Sequence, residues 1–151
     1  MKKTICICLY LFSIAICHAQ APVSWTYSAK KISGKIYEVR LIASIQDGWH
    51  LYAQVQPENF LGLPTTITFN KHPLIVLEGK TRELGILEKA REPVLETEAW
   101  HYAEKVEFVQ RVSLRNNVRT TISGNIAFQV CTDQQCLPPA RVSFQVAVNA
   151  E

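Results

Sequence analysis

Residues 37–43 read Tyr-Glu-Val-Arg-Leu-Ile-Ala, so apolar side chains recur at every second position, with Glu38 and Arg40 between them. This period of two is typical of a β-strand that buries one face and exposes the other. The same alternation occurs at Trp25, Tyr27 and Ala29, and a Ser-Gly pair separates the two segments. We therefore predict a β-hairpin in this part of the chain.

The rest of the chain also has the pattern of short strands. Further alternating or β-branched stretches cover residues 65–69, 74–77, 106–114, 118–128 and 141–148. Only 82–91 could form a turn or two of helix, which Gly85 and Pro93 limit. Strands without intervening helices favour an antiparallel β-sandwich over a parallel α/β sheet. We find no repeat or linker, and predict a single domain over residues 20–151.

Composition and charge narrow the classes of function. The 151 residues are 48% hydrophobic and 19% charged, so the chain can bury one sizeable core. Its formal net charge of +3 is far from the dense positive field that phosphate backbones require. No nucleic-acid partner is predicted.

The first nineteen residues have the features of a secretory signal peptide. Two lysines precede an apolar run at 5–16, and Cys17-His18-Ala19 places small residues where signal peptidase cuts. The run is too short for a spanning helix, which needs about 20 residues, so no stable membrane insertion is expected. Lipidation of Cys17 is an alternative, although lipoprotein signals have a small residue where Ile16 stands. We predict cleavage after Ala19 and export to the periplasm.

Cleavage would leave two cysteines, Cys131 and Cys136, because the other three precede residue 20. In an oxidising compartment a close pair of cysteines is normally a disulfide or a redox couple. Loop entropy gives such a short bridge only about 2 kcal/mol of stabilisation. Short loops also tend to hold more easily reduced disulfides. A purely structural role for this disulfide remains an alternative.

Other chemistry for these cysteines is disfavoured. The histidines outside the signal, His50, His72 and His101, are scattered rather than clustered as in common zinc motifs. A cysteine hydrolase is also disfavoured, because the second cysteine would capture the nucleophile. We predict no metal and no other cofactor.

An acidic and aromatic segment at 96–104 is the remaining notable feature. It contains Glu98, Trp100, His101 and Tyr102, which either cover one end of the sandwich or form a lid over the sulfurs. A third interpretation of the aromatic residues is a carbohydrate-binding sandwich that stacks sugars on Trp49, Tyr52 and Trp100.

Three blocks in this order resemble the N-terminal periplasmic domain of the thiol:disulfide interchange protein DsbD. They are Gly-Trp-His-Leu-Tyr at 48–52, the acidic and aromatic run from 96 to 108, and Phe-Gln-Val-Cys-Thr-Asp-Gln-Gln-Cys-Leu-Pro-Pro at 128–139. The third block is the specific one. The resemblance implies an immunoglobulin-like sandwich in which Cys131 and Cys136 are the catalytic pair. It also implies a cap loop of Glu98, Trp100, His101 and Tyr102, although the family's Phe-Tyr pattern is not reproduced there.

The resemblance further implies a protein-disulfide reductase type of activity in the periplasm. Electrons would pass from a membrane-embedded reductase to thioredoxin-like periplasmic proteins, in a route that serves disulfide isomerisation, cytochrome c biogenesis or peroxide defence. Cys136 would bond to the partner and Cys131 would resolve the mixed disulfide. The alternative is a non-catalytic secreted β-sandwich binding module with a structural disulfide.

Overall fold

The structure is a computed structural model that describes residues 21–148, and every regular element in this range is a β-strand. The predicted signal peptide lies outside the described residues. Within 21–148 no helix has the length and apolar character needed to cross a membrane. The strands of this range are β1 (Val23–Ser33), β2 (Ile36–Ile45), β3 (His50–Tyr52), β4 (Thr66–Phe69), β5 (Ile75–Gly85), β6 (Glu88–Glu92), β7 (Thr97–Tyr102), β8 (Lys105–Leu114), β9 (Thr120–Phe128), β10 (Val130–Cys131) and β11 (Ala140–Val148).

The strands form three antiparallel sheets. Their orders are β1-β2-β8-β5, β11-β9-β4 and β10-β3-β7-β6. The first two pack face to face, as the ring contacts Tyr27–Phe144 (5.8 Å) and Trp25–Phe128 (5.3 Å) show. The third sheet adds Leu51, Val130 and Tyr102 to the same core. The antiparallel β-sandwich predicted from the alternation is confirmed.

The alternation in β2 places its apolar residues in the core. Val39, Leu41 and Ala43 are fully buried, whereas Glu38 and Arg40 lie on the other face. On that face the two charged side chains form an ion pair of 3.1 Å. In strands such as β2, β8, β9 and β11, which bury one side, the period-two pattern was sufficient to locate them.

Three segments of the chain differ from expectation. Residues 82–91 are not helical, because 82–85 pair with β8 and 88–91 pair with β7. The segments 50–52 and 97–102, taken from the sequence as loops, are strands β3 and β7. All three residues of β3 are buried, so it has no polar face from which a period could be detected.

Gly124 lies where β9 approaches its two neighbours most closely. A Cβ there would overlap the carbonyl oxygen of Thr68 and come within 2.6 Å of the Phe144 ring. We expect Gly124→Ala to lower the free energy of unfolding by about 2 kcal/mol, because overpacking forces the backbone or ring to move. Urea denaturation would measure this, with the exposed Thr121→Ala on the same strand as control. Equal effects of the two substitutions would contradict the close packing.

A cross-strand ion pair makes a pH-dependent contribution to stability. Glu107 accepts from Lys105 (2.8 Å) and Arg40 (3.0 Å), and these cations, Lys105 most strongly, lower its pKa. A depressed folded pKa stabilises the protein above the ordinary glutamate value and loses that effect as pH falls through the folded value. We expect Glu107→Gln to cost up to about 1 kcal/mol near pH 7. Urea denaturation repeated near pH 3 should show a smaller difference, and an unchanged one would refute the assignment.

Candidate functional site

The outer face of the third sheet carries the residues of the candidate site. Directly paired residues on adjacent antiparallel strands point to the same side. Cys131 pairs with His50, and Tyr52 pairs with His101. These four side chains therefore share one face, while Leu51 on the opposite face enters the main core.

Cys131 and Cys136 form a disulfide across the tip of a hairpin, with an S–S bond of 2.02 Å and a Cα–Cα distance of 4.0 Å. Backbone bonds close the same hairpin, from Leu137 N to Val130 O (3.0 Å) and from Thr132 N to Gln135 O (2.8 Å). The Thr132 hydroxyl also accepts from the amides of the two glutamines in the turn, at 3.2 and 3.1 Å. These hydrogen bonds therefore close the turn in addition to the disulfide.

The two sulfurs differ in exposure. Cys131 is fully buried, whereas Cys136 is half-buried at the end of the turn. Cys136 Sγ is therefore the more accessible of the two sulfurs.

A buried phenol lies against the inner sulfur. The Tyr52 hydroxyl is 2.9 Å from Cys131 Sγ, 3.8 Å from Cys136 Sγ and 3.0 Å from Glu92 Oε2. Burial, and then the nearby carboxylate of Glu92, raise the pKa of Tyr52. The phenol stays protonated and is a hydrogen-bond donor to the sulfur or the carboxylate.

Glu92 is a buried carboxylate, with 2% of the residue exposed. Its Oε2 lies 2.7 Å from His50 Nε2, and its Oε1 accepts from Val94 N at 3.3 Å. No lysine or arginine of residues 21–148 forms an ion pair with it. The His101 ring stacks on His50 at 4.3 Å, and burial followed by the charge of His50 lowers the pKa of His101.

These side chains include possible metal ligands. Donor atoms of His50, Glu92 and Cys131 all lie within 4.8 Å of one another, and all three residues are buried. The sequence argument disfavoured a metal because it compared only the positions of the histidines and cysteines along the chain. The pairing of the strands brings His50, Glu92 and Cys131 together although they are far apart in sequence.

Two apolar side chains pack on the cluster that contains the inner sulfur. Phe60 and Leu95 pack on the buried cluster of Tyr52, Ala99 and Cys131. The Phe60 ring meets the Tyr52 ring edge to face, with centroids 4.7 Å apart.

The segment that carries Phe60 is tied to the rest of the fold. The Gln129 side chain accepts from Leu63 N (2.9 Å) and donates to Leu137 O (3.1 Å), so it joins residues 53–65 to the exit of the hairpin. Pro138 and Pro139 follow directly and are exposed.

The structure brings only one of the four predicted cap residues to the disulfide face. His101 lies there, beside His50. Trp100 and Tyr102 point to the opposite face and pack on the main core. The exposed Glu98 accepts from Trp100 Nε1 at 3.2 Å. A strand turns successive side chains to opposite sides, so the acidic and aromatic run cannot act as one cover.

Sequence reasoning missed Glu92, Phe60 and Leu95. The sequence near Leu95 offered only Pro93 as a turn signal; the left-handed φ of 53° at Glu96, which closes the turn, is visible only in the structure. An apolar side chain at the tip of such a turn is a candidate cover.

No protein-family model matches the chain, and no curated protein shows significant sequence similarity to it. Solved structures do match. The N-terminal domain of DsbD from Neisseria meningitidis, in its reduced form, superposes with a TM-score of 0.52 at 15% identity, over 83% of this chain and 86% of that one. The chain has the fold of a DsbD N-terminal domain.

A second structure with this DsbD fold is the N-terminal periplasmic domain of ScsB from Proteus mirabilis. It matches with a TM-score of 0.53 and 12% identity, over 85% of this chain and 45% of that one. The immunoglobulin-like sandwich that the resemblance to DsbD implied is thereby confirmed.

The packing of Phe60 and Leu95 on the cluster that contains Cys131 leads to a prediction about the reactivity of the disulfide. We expect Leu95→Ala to speed reduction of the disulfide by dithiothreitol several-fold, because the leucine packs on the cluster that contains Cys131. Trp100→Ala is the matched control and should leave the rate unchanged, since its ring is on the other face. Mass spectrometry after alkylation would follow the reaction, with thermal unfolding as a check on folding. A faster reaction in Trp100→Ala alone would reverse this assignment of the cover.

Proposed function

We propose that this protein exchanges thiols and disulfides with other proteins through Cys131 and Cys136. The observation that carries the proposal is the unequal exposure of the two sulfurs at the tip of a hairpin that is already closed by hydrogen bonds. A bridge across so short a loop adds only about 2 kcal/mol. A structural role would gain little from it, whereas a reactive role needs one accessible sulfur.

The chemistry follows from that asymmetry. A partner thiolate attacks Cys136 Sγ, a new S–S bond forms to the partner, and the Cys131–Cys136 bond breaks. The Cys131 thiolate that leaves is 2.9 Å from the Tyr52 hydroxyl, which donates a hydrogen bond to it. A second thiolate of the partner then attacks the partner's sulfur in the mixed disulfide and releases Cys136 as a thiolate, so that the partner gains a disulfide and the cysteine pair is reduced.

In the opposite direction the reduced pair would pass its two electrons to an acceptor. Cys136 attacks the acceptor's disulfide, and Cys131 resolves the mixed disulfide to regenerate the bridge. The fold is that of DsbD N-terminal domains, which supports thioredoxin-like acceptors and a membrane-embedded reductase as donor. The predicted signal peptide and the periplasmic origin of the ScsB domain support a periplasmic location.

A redox titration tests the proposal against a structural disulfide. We expect the pair to equilibrate with a dithiothreitol or glutathione series at a potential above about −300 mV, which structural disulfides typically lie below. A lower value would favour the binding module with a structural disulfide.

A matched pair of variants tests the order of attack. We expect reduced Cys131→Ser, which keeps the half-buried Cys136, to form a mixed disulfide with a chromogenic aromatic disulfide much faster than Cys136→Ser, which keeps only the buried sulfur. Mass spectrometry of the adducts would measure both rates. Equal rates would contradict the assigned roles.

A further inference from the structure

We propose that reduction of the disulfide opens a site for a zinc-like divalent cation, held by Cys131, Cys136, His50 and Glu92. The proposal goes beyond thiol–disulfide exchange and needs no exchange partner, only a bridge that can be reduced. In the oxidised protein the two sulfurs are bonded to each other and cannot serve as thiolate ligands.

The geometry of the cluster supports this. Donor atoms of His50, Glu92 and Cys131 lie within 4.8 Å of one another, and Cys136 Sγ is bonded to Cys131 Sγ. Tetrahedral zinc with bonds of about 2.0–2.3 Å separates its ligand atoms by roughly 3.3–3.8 Å. His50, Glu92 and Cys131 therefore need only small side-chain movements, whereas Cys136 Sγ, which lies 2.02 Å from Cys131 Sγ, must move away from it once the bond is broken.

The donor set also fits the cation. Two thiolates, an imidazole and a carboxylate are all zinc ligands, and the thiolates favour zinc over magnesium or calcium. The ligands come from β3, β6, β10 and the end of the hairpin turn, so the sheet register sets their arrangement.

The charge balance of the pocket points the same way. Glu92 is buried with no lysine or arginine partner among residues 21–148, and two thiolates beside it would add negative charge that the neighbouring His50 ring, 2.7 Å away, cannot balance alone. Burying uncompensated charge is costly, and a divalent cation offsets it.

Neighbouring polar groups supply the outer contacts that metal ligands require. The Tyr52 hydroxyl lies 3.0 Å from Glu92 and 2.9 Å from Cys131, where it donates to a ligand atom. The buried Nδ1 of His101, on the ring stacked against His50, has no hydrogen-bond partner within the described range. One buried polar atom next to the proposed ligand His50 is thus left without a hydrogen bond in the oxidised protein.

The switch is balanced in electrons and protons. A dithiol reductant is oxidised to its disulfide and delivers two electrons and two protons to the Cys131–Cys136 bridge, giving two thiols. The cation then replaces the two thiol protons, which leave to solvent. Oxidation of the pair to the disulfide would expel the ion, and bound metal would withhold both sulfurs from exchange.

Cobalt(II) is the probe for the test, because its absorption reports both sulfur ligation and tetrahedral geometry. The mature protein, residues 20–151, whose only cysteines are Cys131 and Cys136, would be reduced with a phosphine, freed of reductant under anaerobic conditions and titrated. We expect sulfur-to-cobalt charge-transfer bands and tetrahedral d–d bands in the reduced protein, and neither in the oxidised protein. Absence of these bands after reduction, or equal binding by both forms, would overturn the proposal.

Variants separate this site from simple chelation by two thiols. We expect His50→Gln and Glu92→Gln to weaken cobalt binding at least about tenfold, while His72→Gln, away from the site, leaves it unchanged. Equal affinity in all of them would show that the thiols alone bind, and would reject the four-donor site. If a variant fails to fold, the ¹⁵N shift of the His50 ring in the reduced wild type on zinc addition decides: a shift supports ligation and none refutes it.

Discussion

The pairing of β10 with β3 is the constraint on which the site depends. It sets Cys131 opposite His50, which places the sulfur on the face that carries Tyr52 and Glu92. A slip of one residue would turn the sulfur towards Leu51 and the apolar core. Only a two-residue strand holds this register, and it is reinforced by the turn that Thr132 closes and by the amide of Gln129.

The sandwich could be predicted from the sequence because its main strands bury one side only. In β2 and β11 the buried and exposed side chains alternate, so the period is visible without knowledge of the partners. The third sheet could not be predicted in this way. β3 is buried on both faces and β6 is exposed along most of its length, so neither has a period to detect.

The cysteine pair was predictable from number and spacing, but its surroundings were not. Glu92 and Tyr52 are 40 residues apart in sequence, and Tyr52 and Cys131 are 79 apart. Such contacts depend on strand order and on which face each side chain occupies. The same dependence explains the cap: within one short run, His101 faces the sulfurs and Trp100 does not, because a single step along a strand reverses the direction of the side chain.

Pro138 and Pro139 restrict how another chain can approach the exposed sulfur. A peptide that recognises a sheet edge commonly adds to it as a further strand and depends on the amide hydrogens of that edge. Two consecutive prolines offer none, and the amide of Leu137 between them and Cys136 already bonds to Val130 O, so pairing with a further strand is blocked at this point of the chain. A protein that docked at this margin would therefore be recognised through its side chains, and the same prolines protect the margin against self-association through open strands.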